Sequence, residues 1–167
     1  MSHRWAMTLG GRNSTENSVK YAKSAGVEQI MTKLYLLDAN AFKPIIKGSR
    51  EDPAAHRFYA ELKQNSIFYL CPVSLCEVLV LLYRRQASAQ QKRFDELLQY
   101  FHYVEFIRQD WEETAQMRAE LLNLRKEIEI PDILIAVQAK RLRATVVTEN
   151  ETHFKELNIP YENWSQS

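Results

Sequence analysis

The sequence predicts a three-layer α/β/α domain whose centre is a mainly parallel sheet of four to five strands. Short apolar runs rich in aromatic or β-branched residues recur along the chain, as is typical of buried strands. Stretches with apolar residues three and four positions apart separate these runs, and that spacing indicates helices. Helices between successive strands imply right-handed crossovers, which place parallel strands in one sheet with helices on both faces.

The expected elements follow one another along most of the chain. Strands are predicted at 33–37 (KLYLL), 66–71 (SIFYLC), 103–107 (YVEFI) and 144–148 (ATVVT). Helices are predicted at 53–64, 74–86, 88–101, 110–127 and 131–142, and a further helix-like stretch follows Asn40. Residues 1–30 are polar and lack a helical apolar stripe. We therefore expect a flexible N-terminal extension at 1–30 and a folded domain at 31–163.

Length and composition exclude several classes of protein. The 167 residues suit one domain with a single core, and 46% hydrophobic with 26% charged residues is typical of a globular chain. No apolar run approaches the roughly 20 residues that cross a bilayer. The N-terminus does not resemble a secretory signal, so we expect a cytoplasmic protein that does not associate with membranes. Cys71 and Cys76 are too few for a disulfide framework and lack zinc-site spacing.

The formal net charge of +1 indicates that any nucleic-acid binding depends on local basic patches. Two such patches stand at helix ends. One consists of Arg84, Arg85, Lys92 and Arg93, and the other of Lys140, Arg141 and Arg143. The candidate RNA contacts among them are Arg84, Arg85, Lys140 and Arg141. A solvated helix face explains the same residues without any ligand.

Four polar residues follow or adjoin apolar runs where a site is expected. In open parallel sheets, ligands bind outside the carboxyl ends of the strands. Asp38 directly follows the run LYLL, and Asn150 lies two residues after TVVT. Glu77 and Asp132 lie near the starts of two predicted helices. We expect these four side chains to converge on one edge of the sheet.

Each acid also has a purely structural explanation. Asp38 or Asn40 can cap the helix that follows. Glu77 lies three residues after Ser74, which is the spacing of a capping box. Asp132 follows a proline at a helix start, where the helix dipole favours a carboxylate. The sequence leaves these explanations open beside the functional one.

Three carboxylates brought to one edge would repel each other unless a cation lay between them. A divalent ion is the economical explanation, and an all-oxygen ligand set suits Mg²⁺ or Mn²⁺ better than zinc. Such an ion lowers the pKa of a bound water and stabilises charge on a phosphodiester. The pattern therefore predicts a metal centre formed by Asp38, Glu77 and Asp132.

The segments LYLLDAN, SLCEVLVLLYR, PDILIAVQAKRLRATVVTEN and THF, in that order, resemble the motifs of PIN-domain ribonucleases. The resemblance is closest to the VapC-like toxins of type II toxin–antitoxin systems, and it covers about residues 32–157. It implies a parallel sheet with helices on both sides and metal-dependent cleavage of RNA. It also implies a homodimer and a cognate antitoxin that occludes the site. Residues 1–30 have no counterpart in it.

Carried over by position, the resemblance implies roles for individual residues. Asp38, Glu77 and Asp132 would be the catalytic and metal-binding acids, with Asn40 as a supporting hydrogen-bonding residue. Thr148 and Asn150 match an element in which some relatives carry a fourth acid. The asparagine at this place puts four-acid, two-metal chemistry in doubt.

His153 in ETHF has two interpretations from the sequence. It could act as a proton shuttle, since its unperturbed pKa is near ~6.5. The more common role for such a residue is a helix-start histidine with ordinary hydrogen bonds.

The acidic pattern and the resemblance together predict a Mg²⁺- or Mn²⁺-dependent endoribonuclease that is the toxin of a toxin–antitoxin pair. One alternative is a catalytically idle PIN-fold module that binds RNA or protein. The other is a phosphotransferase with Asp38 as nucleophile, although such enzymes usually carry a second acid where this chain has Asn40.

Overall fold

The computed structural model describes residues 32–48 and 51–166. The expected extension at 1–30 lies outside the described residues, so its boundary with a domain at 31–163 stays a prediction. Among the described helices, none combines the length and the apolar character that crossing a bilayer requires.

Five parallel strands form the sheet in the described part of the chain, in the spatial order β3-β2-β1-β4-β5. They are β1 (Leu34–Leu37), β2 (Ile67–Leu70), β3 (Phe101–Tyr103), β4 (Thr145–Val147) and β5 (Tyr161–Glu162). In the register, Leu36 pairs with Tyr69 of β2 on one side and Val146 of β4 on the other. The strand order reverses beside β1, so the gap between β1 and β4 is the switch point at which sites form in such sheets.

Seven α-helices connect and flank the strands within the described ranges. They are α1 (Ala39–Lys47), α2 (Pro53–Lys63), α3 (Pro72–Arg84), α4 (Ser88–Leu97), α5 (Arg108–Asn123), α6 (Ile130–Leu142) and α7 (Glu151–Glu156). A 3₁₀ turn over Leu98–Tyr100 leads from α4 into β3. The predicted three-layer α/β/α class is confirmed, with an all-parallel sheet.

Alternate residues of the central strands pack into two cores on opposite faces of the sheet, as the period-two geometry of a strand requires. On one face, Tyr35 and Leu37 pack with the helices α1 to α4. On the other face, Leu36 and Val146 pack with α5, α6 and α7. Both faces of β1 are therefore covered, which explains why its sequence is a continuous apolar run.

The third strand is displaced from its predicted position. The prediction placed it at 103–107, but β3 spans Phe101–Tyr103. Phe101 pairs with Phe68 and its ring packs against Phe42 and Phe58. This aromatic cluster sets the register, and the apolar run that follows belongs to a loop. The prediction also missed α7 and β5, because both are too short to show a clear period.

Candidate active site

The candidate site lies at the carboxyl edge of the sheet, where β1 and β4 end. Asp38 follows β1 directly and Thr148 follows β4 directly, and the two strands are paired neighbours. The Thr148 hydroxyl donates a hydrogen bond to Oδ2 of Asp38 over 2.8 Å. Parallel pairing of the two strands therefore brings together residues that are 110 positions apart in the sequence.

Asp38 is buried, and three donors hold its carboxylate. The backbone N–H of Ala39 donates to Oδ1 over 2.6 Å, so Asp38 is the N-cap of α1 as expected. The Asn40 amide and the Thr148 hydroxyl both donate to Oδ2 over 2.8 Å. Asn40 in turn accepts from the backbone N–H of Glu149 over 3.1 Å. The Asp38 side chain therefore caps α1 and is also held in a fixed orientation within the site.

Glu77 does not belong to a capping box, and that interpretation of the sequence is wrong. The helix α3 begins at Pro72 with Cys71 as its N-cap, because proline at the first helical position is already set for the helix. Ser74 is consequently inside the helix, where its hydroxyl contacts the Cys71 thiol at 3.1 Å. The Glu77 side chain is exposed and makes no hydrogen bond to another residue in the described part of the chain. Its carboxylate is free to turn toward the cleft.

Asp132 lies in the first turn of α6, and two side chains from beyond β4 contact its carboxylate. The Asn150 amide donates to Oδ2 over 3.1 Å. Nδ1 of His153 lies 2.5 Å from the same oxygen. The expected helix-dipole position of Asp132 is observed, but the polar partners of its side chain come from α7 and the residue before it.

The three acids line one cleft together with both asparagines. The cleft is bounded by Asp38, Ala39, Asn40, Lys43, Cys76, Glu77, Val80, Leu81, Asp132 and Asn150. Its charged lining consists of three carboxylates and one lysine. The predicted convergence of Asp38, Glu77, Asp132 and Asn150 at one edge therefore agrees with the described geometry.

The carboxylates affect each other's protonation. Burial raises the pKa of Asp38, and the charge of Asp132 adds to the rise, although hydrogen bonds from Thr148, Ala39 and Asn40 oppose it. Partial desolvation raises the pKa of Glu77, with further increases from the charges of Asp38 and Asp132. Burial is the larger cause of both shifts, and the mutual repulsion of the three carboxylates adds to it.

The three carboxylates are of the type that a hard divalent cation binds, but they are not arranged around a common position for an ion. Carboxylate oxygens are the ligands that Mg²⁺ and Mn²⁺ take in proteins. Within residues 32–48 and 51–166, no group of three or more His, Cys, Asp or Glu side chains is close enough together to hold a metal ion. Metal binding at this cleft would require the three carboxylates to come closer together.

The basic residues singled out in the sequence occupy different environments. Arg84 and Arg85 are exposed at the end of α3. Lys140 pairs with Glu113, and Arg141 donates two hydrogen bonds to the buried carboxylate of Asp110 over 2.8 and 2.9 Å. The proposed RNA contacts at Lys140 and Arg141 stay predictions, and a phosphate would have to compete with these ion pairs.

Lys43 lines the cleft although no sequence pattern singled it out, and His153, for which the sequence left two interpretations open, contacts Asp132 beside the cleft. Lys43 lies on α1, one turn after Ala39, and the helical repeat alone was sufficient to place it on the same face. His153 lies three residues after Asn150 across the start of α7, so the two side chains share one face of that turn. That spacing does not indicate that Asn150 and His153 both contact Asp132.

Several solved structures have a similar fold. VapBC2 from Rickettsia felis bound to a promoter DNA fragment contains a chain that is 25% identical, with a TM-score of 0.68 over 78% of this chain and 98% of that one. FitAcB from Neisseria gonorrhoeae gives 19% identity and a TM-score of 0.67 over 80% of this chain and 99% of that one. VapBC-1 from nontypeable Haemophilus influenzae gives 19% and 0.67 over the same shares. At 19% identity the last two establish similarity of fold.

Sequence comparison identifies the family. No curated protein matches the chain significantly. The family model of the PIN domain matches residues 35–159, which include all three acids, Thr148 and Asn150. The predicted resemblance is therefore confirmed, and the chain belongs to the PIN domain family.

Proposed function

We propose that this protein is a Mg²⁺- or Mn²⁺-dependent endoribonuclease and the toxin of a toxin–antitoxin pair. One observation carries the proposal. Asp38, Glu77 and Asp132, far apart in the sequence, line a single cleft at the carboxyl edge of the parallel sheet of a PIN domain. The neighbouring acids contribute to the raised pKa values of Asp38 and Glu77, and a divalent cation between the carboxylates would relieve this repulsion.

A divalent cation bound by these acids would supply a water of lowered pKa and stabilise negative charge on the phosphodiester. Hydrogen bonds within the protein orient the carboxylates that would hold this cation. Three hydrogen bonds fix the orientation of Asp38. Hydrogen bonds hold Asp132 through Oδ2, and its Oδ1 makes none with the described residues. Glu77 has the freedom to complete the ligand set.

A basic groove next to the cleft is suited to guide the RNA backbone. It lies between α1, α3 and α4, shares Ala39, Lys43 and Leu81 with the cleft, and carries Lys47 and Arg85 as well. None of its three cations forms an ion pair with another described residue. Phosphate contacts at Lys43, Lys47 and Arg85, with Arg84 nearby, would strengthen binding at low salt and weaken it at high salt.

The proposed partners follow from the similar structures. The Rickettsia felis and Haemophilus influenzae structures are VapBC complexes, and another similar structure is a toxin–antitoxin complex from Klebsiella pneumoniae. We propose a cognate antitoxin and a homodimer for this protein, acting in the cytoplasm. Exposed apolar side chains on α3, at Val80 and Tyr83, are consistent with a surface that a protein partner covers.

A second candidate function is a catalytically idle PIN-fold module that binds RNA or protein. One observation favours it. The acids of the cleft are not close enough together to enclose an ion in the described part of the chain. In that case the basic groove would bind RNA and no cleavage would follow.

The two functions are separated by a cleavage assay with matched variants. A mixed-sequence RNA carrying a fluorophore and a quencher is incubated with the protein and increasing Mn²⁺ or Mg²⁺. We expect metal-dependent cleavage that EDTA abolishes. Asp38→Asn and Asp132→Asn should each lower the rate about 100-fold or more, and Asp95→Asn, an exposed acid of α4, should have no effect. RNA binding without cleavage at any metal concentration would establish the idle module instead.

A further inference from the structure

Two nitrogen atoms converge on a single oxygen of Asp132. The Asn150 amide nitrogen lies 3.1 Å from Oδ2, and Nδ1 of His153 lies 2.5 Å from it. The same two nitrogens are 2.7 Å apart. The other carboxylate oxygen, Oδ1, has no hydrogen-bond partner among the described residues. The two oxygens of Asp132 are therefore in different environments.

The short contact determines where the imidazole carries hydrogen. An ionised carboxylate can only accept, so the contact between Asp132 and His153 is a hydrogen bond when Nδ1 carries the hydrogen and donates it to Oδ2. The Asn150 amide also donates to Oδ2, over 3.1 Å, and its nitrogen lies 2.7 Å from Nδ1. This assignment holds for both the neutral and the charged ring, since each can carry hydrogen on Nδ1.

A backbone hydrogen bond fixes the position of Asn150, and a buried neighbour fixes that of His153. The N–H of Asn150 donates to the Thr148 hydroxyl over 2.9 Å, and that hydroxyl also contacts Asp38. His153 lies in the first turn of α7, which is anchored by the fully buried ring of Phe154. His153 is therefore built into the site, with its side chain 32% exposed.

We propose that His153 is a positioning residue for Asp132. Together with Asn150 it holds Oδ2, and this leaves Oδ1 available for a divalent cation shared with Asp38 and Glu77. The inference rests on the proposed function, because it concerns the same metal centre. Hydrogen bonds to a ligating carboxylate fix its orientation, and removing such a partner typically weakens metal binding by about 10- to 100-fold.

The test is the affinity for Mn²⁺, measured by calorimetry on the full chain without RNA. His153→Ala removes the donor and should weaken Mn²⁺ binding about 10-fold or more. His153→Asn places an amide nitrogen where Nδ1 lies, and its affinity should stay within about 3-fold of the wild type. His153→Gln places its nitrogen farther out and should behave like the alanine variant. His56→Ala changes an exposed histidine of α2 outside the cleft and should not change the affinity.

Thermal unfolding without metal separates positioning from stability. Rescue by asparagine but not by glutamine supports the inference, and if the alanine variant fails to fold, the asparagine and glutamine pair still decides the question. Equal Mn²⁺ affinity in wild type and His153→Ala would overturn it. So would a common loss of affinity and melting temperature in all three variants.

A further variant distinguishes this inference from the function on which it rests. If wild type binds Mn²⁺, Asp38→Asn does not, and all His153 variants bind as wild type does, only the role of His153 is wrong. If wild type binds no Mn²⁺ at all, the metal-dependent function and the role of His153 are both wrong.

Discussion

At the scale of single residues, Asp38 explains why a buried strand ends on a carboxylate. Its Oδ1 caps α1, and its Oδ2 accepts from Asn40 and Thr148 at the mouth of the cleft. A carboxylate placed there costs free energy, because burial and the neighbouring acid Asp132 both raise its pKa. The chain retains this cost at the position where we propose the metal binds.

The cost of the Asp38 charge leads to a prediction about Asp38→Asn. A carboxyl whose pKa is higher in the folded than in the unfolded state destabilises the protein once pH exceeds the unfolded value. The asparagine removes that charge and keeps an oxygen for the cap, although its amide group faces the donors of Asn40. We expect a modest rise in the free energy of unfolding at pH 7, up to about 1 kcal/mol, in urea denaturation without metal. A loss of more than about 1 kcal/mol would identify Asp38 chiefly as a structural cap.

Glu61 is the opposite case, a buried acid whose charge is compensated. It is 1% exposed and accepts from Ser66 over 2.7 Å and from Lys33 over 3.0 Å, and Arg57 lies 2.8 Å away. Burial alone would raise the pKa of Glu61, but the hydrogen bonds from Ser66 and Lys33 and the charge of Arg57 outweigh it and lower the pKa.

The lowered pKa makes the contribution of Glu61 dependent on pH. Stabilisation from an acid with a lowered folded-state pKa is present above its unfolded value, about 4.3, and is lost as pH falls through the folded value. Glu61→Gln should therefore cost about 2 kcal/mol at pH 7 and much less at pH 3. Urea denaturation at the two pH values measures this, with the exposed Glu96→Gln as control. An equal cost at both pH values would show that charge is not the source of the stabilisation.

At the scale of elements, the start of α3 determines what Glu77 is free to do. The helix begins two residues earlier than the sequence predicted, at Pro72, and Ser74 is fully buried inside it. Glu77 therefore lies in the second turn, beyond the reach of a capping box. The spacing in the sequence was right for a cap, but the preceding proline determined the first turn.

This geometry predicts a small effect of Glu77→Ala on stability. A capping glutamate would cost about 1 kcal/mol when removed, whereas an exposed residue without partners changes stability by less than about 0.5 kcal/mol. We expect the smaller value together with loss of metal-dependent cleavage. Thermal unfolding and the RNA assay on the same preparation measure the two effects. A stability loss near 1 kcal/mol with cleavage retained would restore the structural interpretation of Glu77.

At the scale of the whole molecule, the order of the strands creates the site. Because β1 lies between β2 and β4, the loops after β1 and β4 leave the sheet side by side, and α3 and α6 bring Glu77 and Asp132 to the same cleft. Two cores on opposite faces of the sheet hold these elements in place.

All the strands and helices described above lie between Leu34 and Glu162, and this suggests a truncation of the N-terminal segment. The family match begins at residue 35, and the compact unit begins at Thr32. Deleting residues 1–30 should leave the far-ultraviolet circular dichroism, the melting temperature and RNA cleavage unchanged. The full-length chain is the control. An insoluble truncated protein would show that the N-terminal segment contributes to the core or to an interface.

Much of this architecture was predictable from the sequence. Three of the five strands and most helix bounds agree to within a few residues, because buried strands and amphipathic helices have distinct periods. The convergence of the acids was also predictable, since parallel strands place their carboxyl ends at one edge. The failures fell where period carries little information: the short α7 and β5, and the register of β3, which Phe101 sets through the aromatic core.

What the sequence by itself determined was the layered fold, its family and the residue types at the strand ends, since these depend on local periodicity and on motifs. Only the tertiary structure decided which partners each of these side chains has. It showed that Glu77 does not take part in a helix cap. It also showed that Lys140 and Arg141 form ion pairs with Glu113 and Asp110, and that His153 contacts Asp132. Contacts between residues distant in the chain depend on the packing of whole elements, and no short stretch of sequence contains that information.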